Sequence, residues 1–264
     1  MRRRFFVDRF ENGSAVLRGE AAHHLGRVLR AESGQIYELS DGETVWLART
    51  VSVGRDEIQF SLIERLPVHP AAVRITLLLA VVKFDRFEWA IEKATELGAD
   101  EIVPLAADRS EKGLLAAAAK RAERWGRILT ESAQQARRLR VPVLREAAKP
   151  GEAFREAGAQ VRLILSERPG ACPMRDLLGP AAAAVRGGES TSVTIAIGPE
   201  GGWTDAEFSA GTSAGFAEAA LGTNILRTET AVCAALAAVQ YAFGAFRTPG
   251  DLDASPAEAR EEKA

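Results

Sequence analysis

The sequence predicts an α/β protein with two domains, a small β-rich domain followed by a larger domain built on a mostly parallel sheet. Short runs of β-branched and aromatic residues occupy positions 1–68, and strands alternate with helices from 73 to 247. The segment 66–72 between them carries two prolines and is typical of a linker. The polar, acidic segment 248–264 predicts a disordered tail.

The first domain is predicted to be a small β-barrel interrupted by one helix. The helix is expected over 20–30, and the dipeptide Asp41-Gly42 between two of the strands is a strong hairpin signal. The five predicted strands are "RFFV" (4–7), "SAVL" (14–17), "QIYEL" (35–39), "TVWLARTV" (44–51) and "EIQFSLIE" (57–64). These runs favour strands because branched and aromatic side chains pack well on a pleated surface.

The second domain is predicted to be doubly wound. Its first helix is expected to start at Asp85, with Glu88 completing a capping box, and to end at Gly98. The predicted strands are 73–82, 101–105, 161–167 and 192–198, and the other predicted helices are 114–139, 205–215 and 229–246. Because strands are followed by helices, the sheet is expected to be parallel.

The composition is that of a globular protein, with a net charge of −2. Residues 1–140 hold 23 Lys and Arg against 20 Asp and Glu, whereas 141–264 hold 11 against 16, which permits nucleic-acid binding by the first half. Cys172 and Cys233 are too few for a disulfide framework or a zinc site, and the three histidines suggest no metal. With no signal peptide or membrane span recognised, we expect a cytoplasmic protein.

The segment "IGPEGGW" (197–203) runs from an apolar strand into a glycine-rich turn that opens a helix. Thr204 and Glu207 have the spacing of a capping box, and Trp203 and Phe208 that of a hydrophobic staple, so the start of the helix is well defined. A phosphate loop would need a lysine, a nucleophile elbow would need Ser or Cys, and Glu200 would repel an anion. Two interpretations remain. The backbone of this turn binds a neutral or cationic ligand, or the turn is purely structural.

A second glycine turn, "LGTNILRTETA" (221–231), follows about twenty residues later. Thr228 is the predicted N-cap of a helix that is apolar on all sides and is therefore expected to be buried. Burying a charged group without a partner costs free energy, so Arg227 and Glu229 at the start of such a helix are expected to have ion-pair partners or a functional role. Two loops of this form near the end of an α/β domain favour a binding site.

These two motifs closely resemble those of the SPOUT class of S-adenosylmethionine-dependent RNA methyltransferases, in particular the bacterial 16S ribosomal RNA (uracil-N3)-methyltransferases. The segments 83–110 and 124–138 and the opening "RRFFV" support the resemblance, which spans roughly residues 2–246. It implies a PUA-like N-terminal domain, a C-terminal domain with a trefoil knot, and a homodimer. Asn224 departs from the arginine that the family commonly has before "ILR".

The resemblance also implies that three loops bind S-adenosylmethionine: "SER" after the strand 161–165, "IGPEGG" and "LGTNILRTETA". Backbone groups of these loops would hold the adenine, ribose and methionine parts. The implied cofactor-binding residues are Leu165, Ser166, Ile197, Gly198, Pro199, Glu200, Gly201, Gly202, Leu221, Gly222, Ile225, Leu226, Thr228, Thr230 and Ala231.

Methylation of uracil N3 spreads negative charge over N3, O2 and O4, which a nearby cation would stabilise. Arg227 is the candidate, with a structural ion pair to Glu229 or Glu200 as the alternative. Glu200 would accept the proton or only orient its loop. The implied partner is 16S rRNA or the assembled small subunit, and no metal is required. The predicted RNA-binding residues are Arg2, Arg3, Arg4, Arg27, Arg30, Lys83, Arg86, Arg109, Arg137 and Arg138.

Two other functions stay open at this point. A related enzyme of the same class would methylate a ribose 2′-hydroxyl or a transfer-RNA guanine, although the domain order and the "LRTETA" form argue against it. A protein that binds RNA without catalysis, as a ribosome assembly factor, is the second alternative.

Overall fold

The computed structural model describes residues 3–69, 71–184 and 190–243. The predicted tail (248–264) and the predicted RNA-binding residue Arg2 lie outside these ranges. Within them, the chain forms one curled, mostly antiparallel sheet followed by one fully parallel sheet with helices on both faces.

The first sheet has six strands in the order β1-β4-β5-β6-β3-β2. These are β1 (Arg4–Phe6), β2 (Phe10–Glu11), β3 (Ser14–Arg18), β4 (Ile36–Ser40), β5 (Val45–Val53) and β6 (Glu57–Leu66). All five predicted strands are confirmed, and β2 is additional. The sheet curls into a half-barrel around a core that includes Phe5, Leu25 and Phe60. Its two outer strands, β1 and β2, are not paired with each other.

The predicted helix over 20–30 is shorter than expected. Helix α1 (Gly19–His23) continues as a π-helical turn over His24–Val28, in which the N–H of Leu29 donates to the carbonyl of His24 at 3.0 Å. The chain then leaves the helical path, and Arg30 adopts a φ of 52°. A positive φ ends a regular helix, so Arg27 lies within the π-helical turn, whereas Arg30 lies just beyond its end.

The second sheet has seven parallel strands in the order β11-β13-β10-β12-β7-β8-β9. Its strands are β7 (Val73–Ala80), β8 (Ala99–Leu105), β9 (Val143–Leu144), β10 (Val161–Leu165), β11 (Cys172–Pro173), β12 (Thr191–Ile197) and β13 (Ala217–Ala220). Its helices are α2 (Phe84–Glu96), α3 (Lys112–Gln135), α4 (Pro150–Glu156), α5 (Met174–Ala184), α6 (Asp205–Ser213) and α7 (Thr228–Ala242). The predicted parallel sheet is confirmed, whereas β9, β11, β13, α4 and α5 were not predicted.

Alternate residues of the central strands point to opposite faces of this sheet, and each face has its own core. Leu77 and Leu79 of β7 belong to a large core with α2, α3, α5 and α7. Leu78 and Ala80 belong to a smaller core with α4 and α6, which contains Phe154. Because both faces are covered, the strands are apolar along their whole length rather than alternating.

The capping box predicted at Asp85 is wrong. Helix α2 begins one residue earlier, its N-cap is Lys83, and no side chain caps it. The carboxylate of Glu88 instead accepts hydrogen bonds from Arg121 and Arg124 of α3, at 3.0 and 2.9 Å. Two guanidinium partners on a packed helix outweigh one local N–H group, so tertiary contacts override the local pattern.

Candidate active site

Three loops meet at one edge of the parallel sheet. They follow β10 (166–170), β12 (198–204) and β13 (221–227), and these three strands are neighbours in the order β13-β10-β12. Because the strands are parallel, their carboxyl ends share an edge, where α/β proteins bind ligands. The three loops expected to form a cofactor pocket are therefore brought together.

Trp203 connects the second loop to the first. Its indole N–H donates to the carbonyl of Leu165 at 3.1 Å, and its side chain is buried in the core shared with Phe208. A Cβ atom at Gly198 would lie 3.0–3.2 Å from the indole ring, so a larger residue at 198 would force the ring to move. The glycine thus permits the close packing that holds the two loops together.

Thr228 connects the third loop to the second. Its hydroxyl donates to the carbonyl of Gly198 at 3.1 Å, and its side chain is buried. The prediction that Thr228 is an N-cap is wrong: it is the first residue of α7, and Arg227 is the N-cap without a side-chain bond. The hydroxyl is bound to another loop instead, which local spacing could not show.

Polar contacts also order the first loop. The hydroxyl of Ser166 donates to the carboxylate of Glu218 on β13 and accepts from the backbone N–H of Arg168 at 3.0 Å. The backbone N–H of Ser166 donates to the carbonyl of Ala219 at 2.9 Å. Ser166 therefore fixes the turn after β10, and its hydroxyl is already engaged. Sequence analysis missed Glu218, because a glutamate in "AEAA" carries no local signal for a strand.

The glycine turn itself is anchored from outside by two arginines. Gly202 has a φ of 68°, a conformation that favours glycine, and its N–H donates to the carbonyl of Pro199 at 2.8 Å. Arg109 donates to the carbonyl of Gly201 at 2.8 Å, and Arg86 donates to the carboxylate of Glu200 at 3.0 Å. Both arginines were predicted to bind RNA, and in this structure both support the turn.

Arg86 is shared between two carboxylates. Besides Glu200, its guanidinium lies 3.9 Å from Glu229 on the first turn of α7. The other carboxylate oxygen of Glu229 is buried and has no hydrogen-bond partner among the described residues. The two glutamates considered as ion-pair partners of Arg227 are therefore both next to Arg86.

The third loop is open by comparison. Within the described ranges, no backbone N–H of residues 222–226 donates a hydrogen bond, and Ile225 is 79% exposed. Leu221 and Leu226 pack partly against the large core, which fixes the two ends of the loop. The guanidinium of Arg227 is exposed and contacts no carboxylate in the part of the chain that the structure describes. Arg227 is therefore an exposed cation at the end of the third loop, directly before α7.

The predicted RNA-binding residues fall into two groups. Arg3, Arg27, Arg30 and Lys83 are exposed. Arg4 pairs with Glu38 at 2.9 Å, and Arg137 lies 3.4 Å from the same carboxylate, so this cluster joins the first sheet to the segment that follows α3. Burial lowers the pKa of Arg4, and the charge of Glu38 opposes this effect.

Arg138 also has structural partners. It pairs with Asp100 at 2.8 Å and donates to the backbone carbonyls of Thr95 and Ala99. Burial lowers the pKa of its guanidinium, which the charge of Asp100 offsets. These contacts fasten the segment after α3 to the end of α2 and the start of β8.

Across the described ranges, no group of three or more His, Cys, Asp or Glu side chains is arranged to hold a metal ion. None of the helices in those ranges combines the length and apolar character needed to cross a membrane.

Comparisons with known proteins agree with this geometry. Residues 69–240 match the family model described as an RNA methyltransferase domain. A ribosomal RNA small subunit methyltransferase E from Mycobacterium tuberculosis is 33% identical over 273 residues, covering 96% of this chain and 95% of that protein. The protein of the same name from Bacillus subtilis is 30% identical over 231 residues, covering 84% and 88%.

The fold agrees as well. A crystal structure of a ribosomal RNA small subunit methyltransferase E from Neisseria gonorrhoeae, bound to S-adenosyl methionine, has a TM-score of 0.78. It is 28% identical and covers 91% of this chain and 98% of its own. The chain therefore belongs to the RNA methyltransferase family that includes the ribosomal RNA small subunit methyltransferases E.

Proposed function

We propose that this protein transfers a methyl group from S-adenosylmethionine to N3 of a uridine in the 16S ribosomal RNA of the small subunit. The observation that carries the proposal is the joining of three loops at one sheet edge by Trp203 and Thr228. Its fold neighbour with bound S-adenosyl methionine and the names of its relatives support the same assignment. The substrate implies that the protein acts in the cytoplasm.

The residues at this edge fit S-adenosylmethionine. The unbonded N–H groups of 222–226 offer donors for a ligand, and the packing of Gly198 against Trp203 holds the second loop in place. Glu200 and Glu229 place carboxylates nearby, which suits a sulfonium ligand better than a phosphate. We assign cofactor binding to the residues of the three loops after β10, β12 and β13 that the sequence resemblance implies. Thr228 contributes by holding Gly198 in place through its hydrogen bond. When bound, the cofactor supplies an electrophilic methyl group.

The protein residues have two tasks in this proposal. N3 lies on the Watson–Crick edge, so the target base must be unpaired or flipped out before it can enter the site. When the N3 proton leaves, Arg227 stabilises the negative charge on the uracil oxygens, which is greater in the transition state than in the ground state. Arg227 suits this task because its guanidinium has no carboxylate partner in the described chain.

Glu200 is assigned a positioning task rather than proton transfer. Its carboxylate accepts a hydrogen bond from Arg86, which directs it toward α2 and fixes the outer side of the glycine turn. A group that is already paired in this way orients the loop that presents the cofactor, and alignment of the reacting groups is itself a large part of catalysis.

For the architecture, we propose a C-terminal domain with a trefoil knot and a PUA-like N-terminal domain. The passage of the third loop beside the second, where Thr228 bonds to Gly198, supports the knot. The curled six-stranded sheet ahead of the α/β domain supports the PUA-like assignment. Exposed Arg3, Arg27, Arg30 and Lys83 would then contact RNA from the first domain and the adjoining edge of the second.

We further propose that the protein is a homodimer. Trp89 on α2, Tyr241 on α7 and Ile225 in the third loop are exposed, and α2 and α7 pack together. Large apolar side chains that are left exposed are typical of protein interfaces. A partner that covered Ile225 would also cover part of the open third loop.

Methyl transfer tests the proposal directly. Purified protein is incubated with labelled S-adenosylmethionine and either naked 16S rRNA or small subunits from a strain lacking the gene. We expect label in one of these RNAs, and nuclease digestion should identify the product as N3-methyluridine. Label on a ribose or a guanine would reassign the enzyme, and RNA binding without label would indicate an assembly factor.

A further inference from the structure

The short segment that follows α3 bonds in two directions. Toward the first sheet, the carbonyl of Leu139 accepts a hydrogen bond from the hydroxyl of Ser40 on β4 at 2.8 Å, and Arg140 donates to the carbonyl of Gly42. Toward the parallel sheet, Arg138 donates to backbone carbonyls at the end of α2 and the start of β8. This segment therefore lies between the two sheets and is bonded to both sides.

A buried carboxylate lies at the centre of this junction. Glu38 on β4 is 5% exposed, and its two oxygens have different partners. One oxygen accepts two hydrogen bonds from the guanidinium of Arg4 on β1, at 2.9 and 3.1 Å, and the other lies 3.4 Å from the guanidinium of Arg137. Because removing one partner of a buried charge is costly, these contacts favour a single arrangement of β1, β4 and the segment after α3.

Arg137 occupies a backbone position that favours glycine. Helix α3 ends at Gln135 in a Schellman motif, in which the N–H of Arg138 donates to the carbonyl of Ala133 at 2.9 Å and that of Arg137 donates to the carbonyl of Gln134 at 3.4 Å. Arg137 has a φ of 52°, the left-handed conformation that this motif requires and that glycine adopts without strain. The arginine is therefore explained by its side chain, which reaches the buried carboxylate, rather than by the backbone.

Helix α2 connects this junction to the cofactor loops. Arg138 donates to the carbonyl of Thr95 near the end of α2 at 3.0 Å. In the first turn of the same helix, Arg86 donates to the carboxylate of Glu200 in the glycine turn at 3.0 Å. Helix α2 is continuous over 13 residues and packs in the large core. The first sheet and the glycine turn are therefore both connected to one rigid element.

We propose that Glu38 and Arg137 are positioning residues for methyl transfer. They fix the first sheet in one orientation relative to the cofactor loops, so that RNA held by the exposed arginines of the first sheet presents its target uridine at the site. Arg137 acts through Glu38 in this proposal, in place of the direct RNA contact expected from the sequence. The inference rests on the proposed function, because it requires RNA bound to the first sheet.

Arg137→Gly removes the side chain without straining the backbone, so we expect no loss of thermal stability. We expect kcat for RNA methylation to fall by about ten- to hundredfold, because small misplacements of reacting groups have effects of this size. The Kd values for RNA and for S-adenosylmethionine should not change. Arg127→Ala is the matched control, because it removes an exposed arginine of α3 that pairs within the helix. A lower slope of log Kd for RNA against log salt in Arg137→Gly than in the control would indicate a phosphate contact and overturn the proposal.

Glu38→Gln tests the other side of the ion pair with the opposite change in charge. Removing a negative charge favours binding of a polyanion if charge alone matters, whereas the proposal expects kcat to fall as it does in Arg137→Gly. The double variant should lose no more than the larger single loss, because the two side chains act as a unit. Glu43→Gln, at an exposed position in the hairpin after β4, is the matched control. Additive losses in the double variant would overturn the proposal.

The wild-type protein separates this proposal from the proposed function. All variants are assayed beside it with the same RNA and labelled S-adenosylmethionine, below the melting temperature of every variant. If the wild type transfers no methyl group to any RNA, the proposed function itself fails. If the wild type transfers methyl groups and Arg137→Gly and Glu38→Gln do so at the same rate, the enzyme assignment holds and the positioning role is overturned.

Discussion

The two glycine turns of the site differ in how firmly they are held. The turn at 198–203 is bound on every side, by the indole of Trp203, the hydroxyl of Thr228 and the side chains of Arg109 and Arg86. In the turn at 222–226, by contrast, no backbone N–H donates a hydrogen bond among the described residues. The first turn is preformed, and the second has its backbone N–H groups free to bind a ligand.

This difference follows from what surrounds each turn. The first lies between β12, a buried central strand, and α6, whose capping box of Thr204 and Glu207 is confirmed. The second follows the short strand β13 and enters α7 without a side-chain cap. A site that combines a rigid wall with an open one can admit its ligand and then close on it, because fewer contacts must break.

Removing Trp203 should have the largest effect on the preformed turn. Trp203→Ala deletes a buried aromatic ring and its bond to Leu165, and we expect the free energy of unfolding to fall by about 3–5 kcal/mol. Binding of S-adenosylmethionine should be lost with it. Denaturant unfolding and calorimetry measure the two effects. Trp203→Phe, which keeps a ring at 203, should lose much less, and equal losses in both variants would contradict the packing role.

Replacing Arg227 tests whether the open turn contributes to catalysis. Because its guanidinium has no carboxylate partner in the described chain, Arg227→Ala should leave the melting temperature unchanged. We expect kcat to fall by about 10²–10³, the effect of losing one group that stabilises an oxyanion. The Kd for S-adenosylmethionine should stay the same. Arg227→Lys should recover part of the rate, and a loss of cofactor binding instead would make Arg227 structural.

Thr228 joins the two turns, and its replacement should have an intermediate effect. Thr228→Val removes the hydroxyl and leaves the carbonyl of Gly198 without that donor. We expect the free energy of unfolding to fall by about 1–3 kcal/mol, as for other buried polar groups that lose a partner. Thr228→Ser keeps the hydroxyl and serves as the control. Equal stability of the Val variant and the wild type would show that the turns are joined by other contacts.

The ion pair between Arg86 and Glu200 should have the smallest effect. Both side chains are partly exposed, at 31% and 42%, so solvent screens the pair. We expect Glu200→Gln to lower the free energy of unfolding by about 0–1 kcal/mol. A few-fold rise in the KM for S-adenosylmethionine would fit a positioning task. A fall in kcat of several orders of magnitude would instead assign proton transfer to Glu200.

Local sequence patterns were reliable where neighbouring residues alone decide the structure. Thr204 and Glu207 are close in sequence, so their spacing fixed the start of α6 before any tertiary contact was known. Gly98 likewise ends α2 with a φ of 95°. The same type of pattern at Asp85 and Glu88 was wrong, because two arginines of α3 bind the carboxylate of Glu88.

The strand β13 was missed for a related reason. Its sequence, "AEAA", consists of residues that favour helices in isolation. It forms a strand because β10 lies on one side of it and β11 on the other, and both supply backbone hydrogen-bond partners. Such pairing between distant segments leaves no periodic signal in four residues.

The sequence by itself determined the α/β class, the glycine turns and the cation in the second turn, because these depend on local composition and spacing. Only the tertiary structure decided which groups meet. It bonded Thr228 to Gly198, Trp203 to Leu165 and Arg86 to Glu200, pairs that are separated by 30, 38 and 114 positions in the chain. Hydrogen bonds between such distant residues depend on the order of strands in the sheet, which no local pattern encodes.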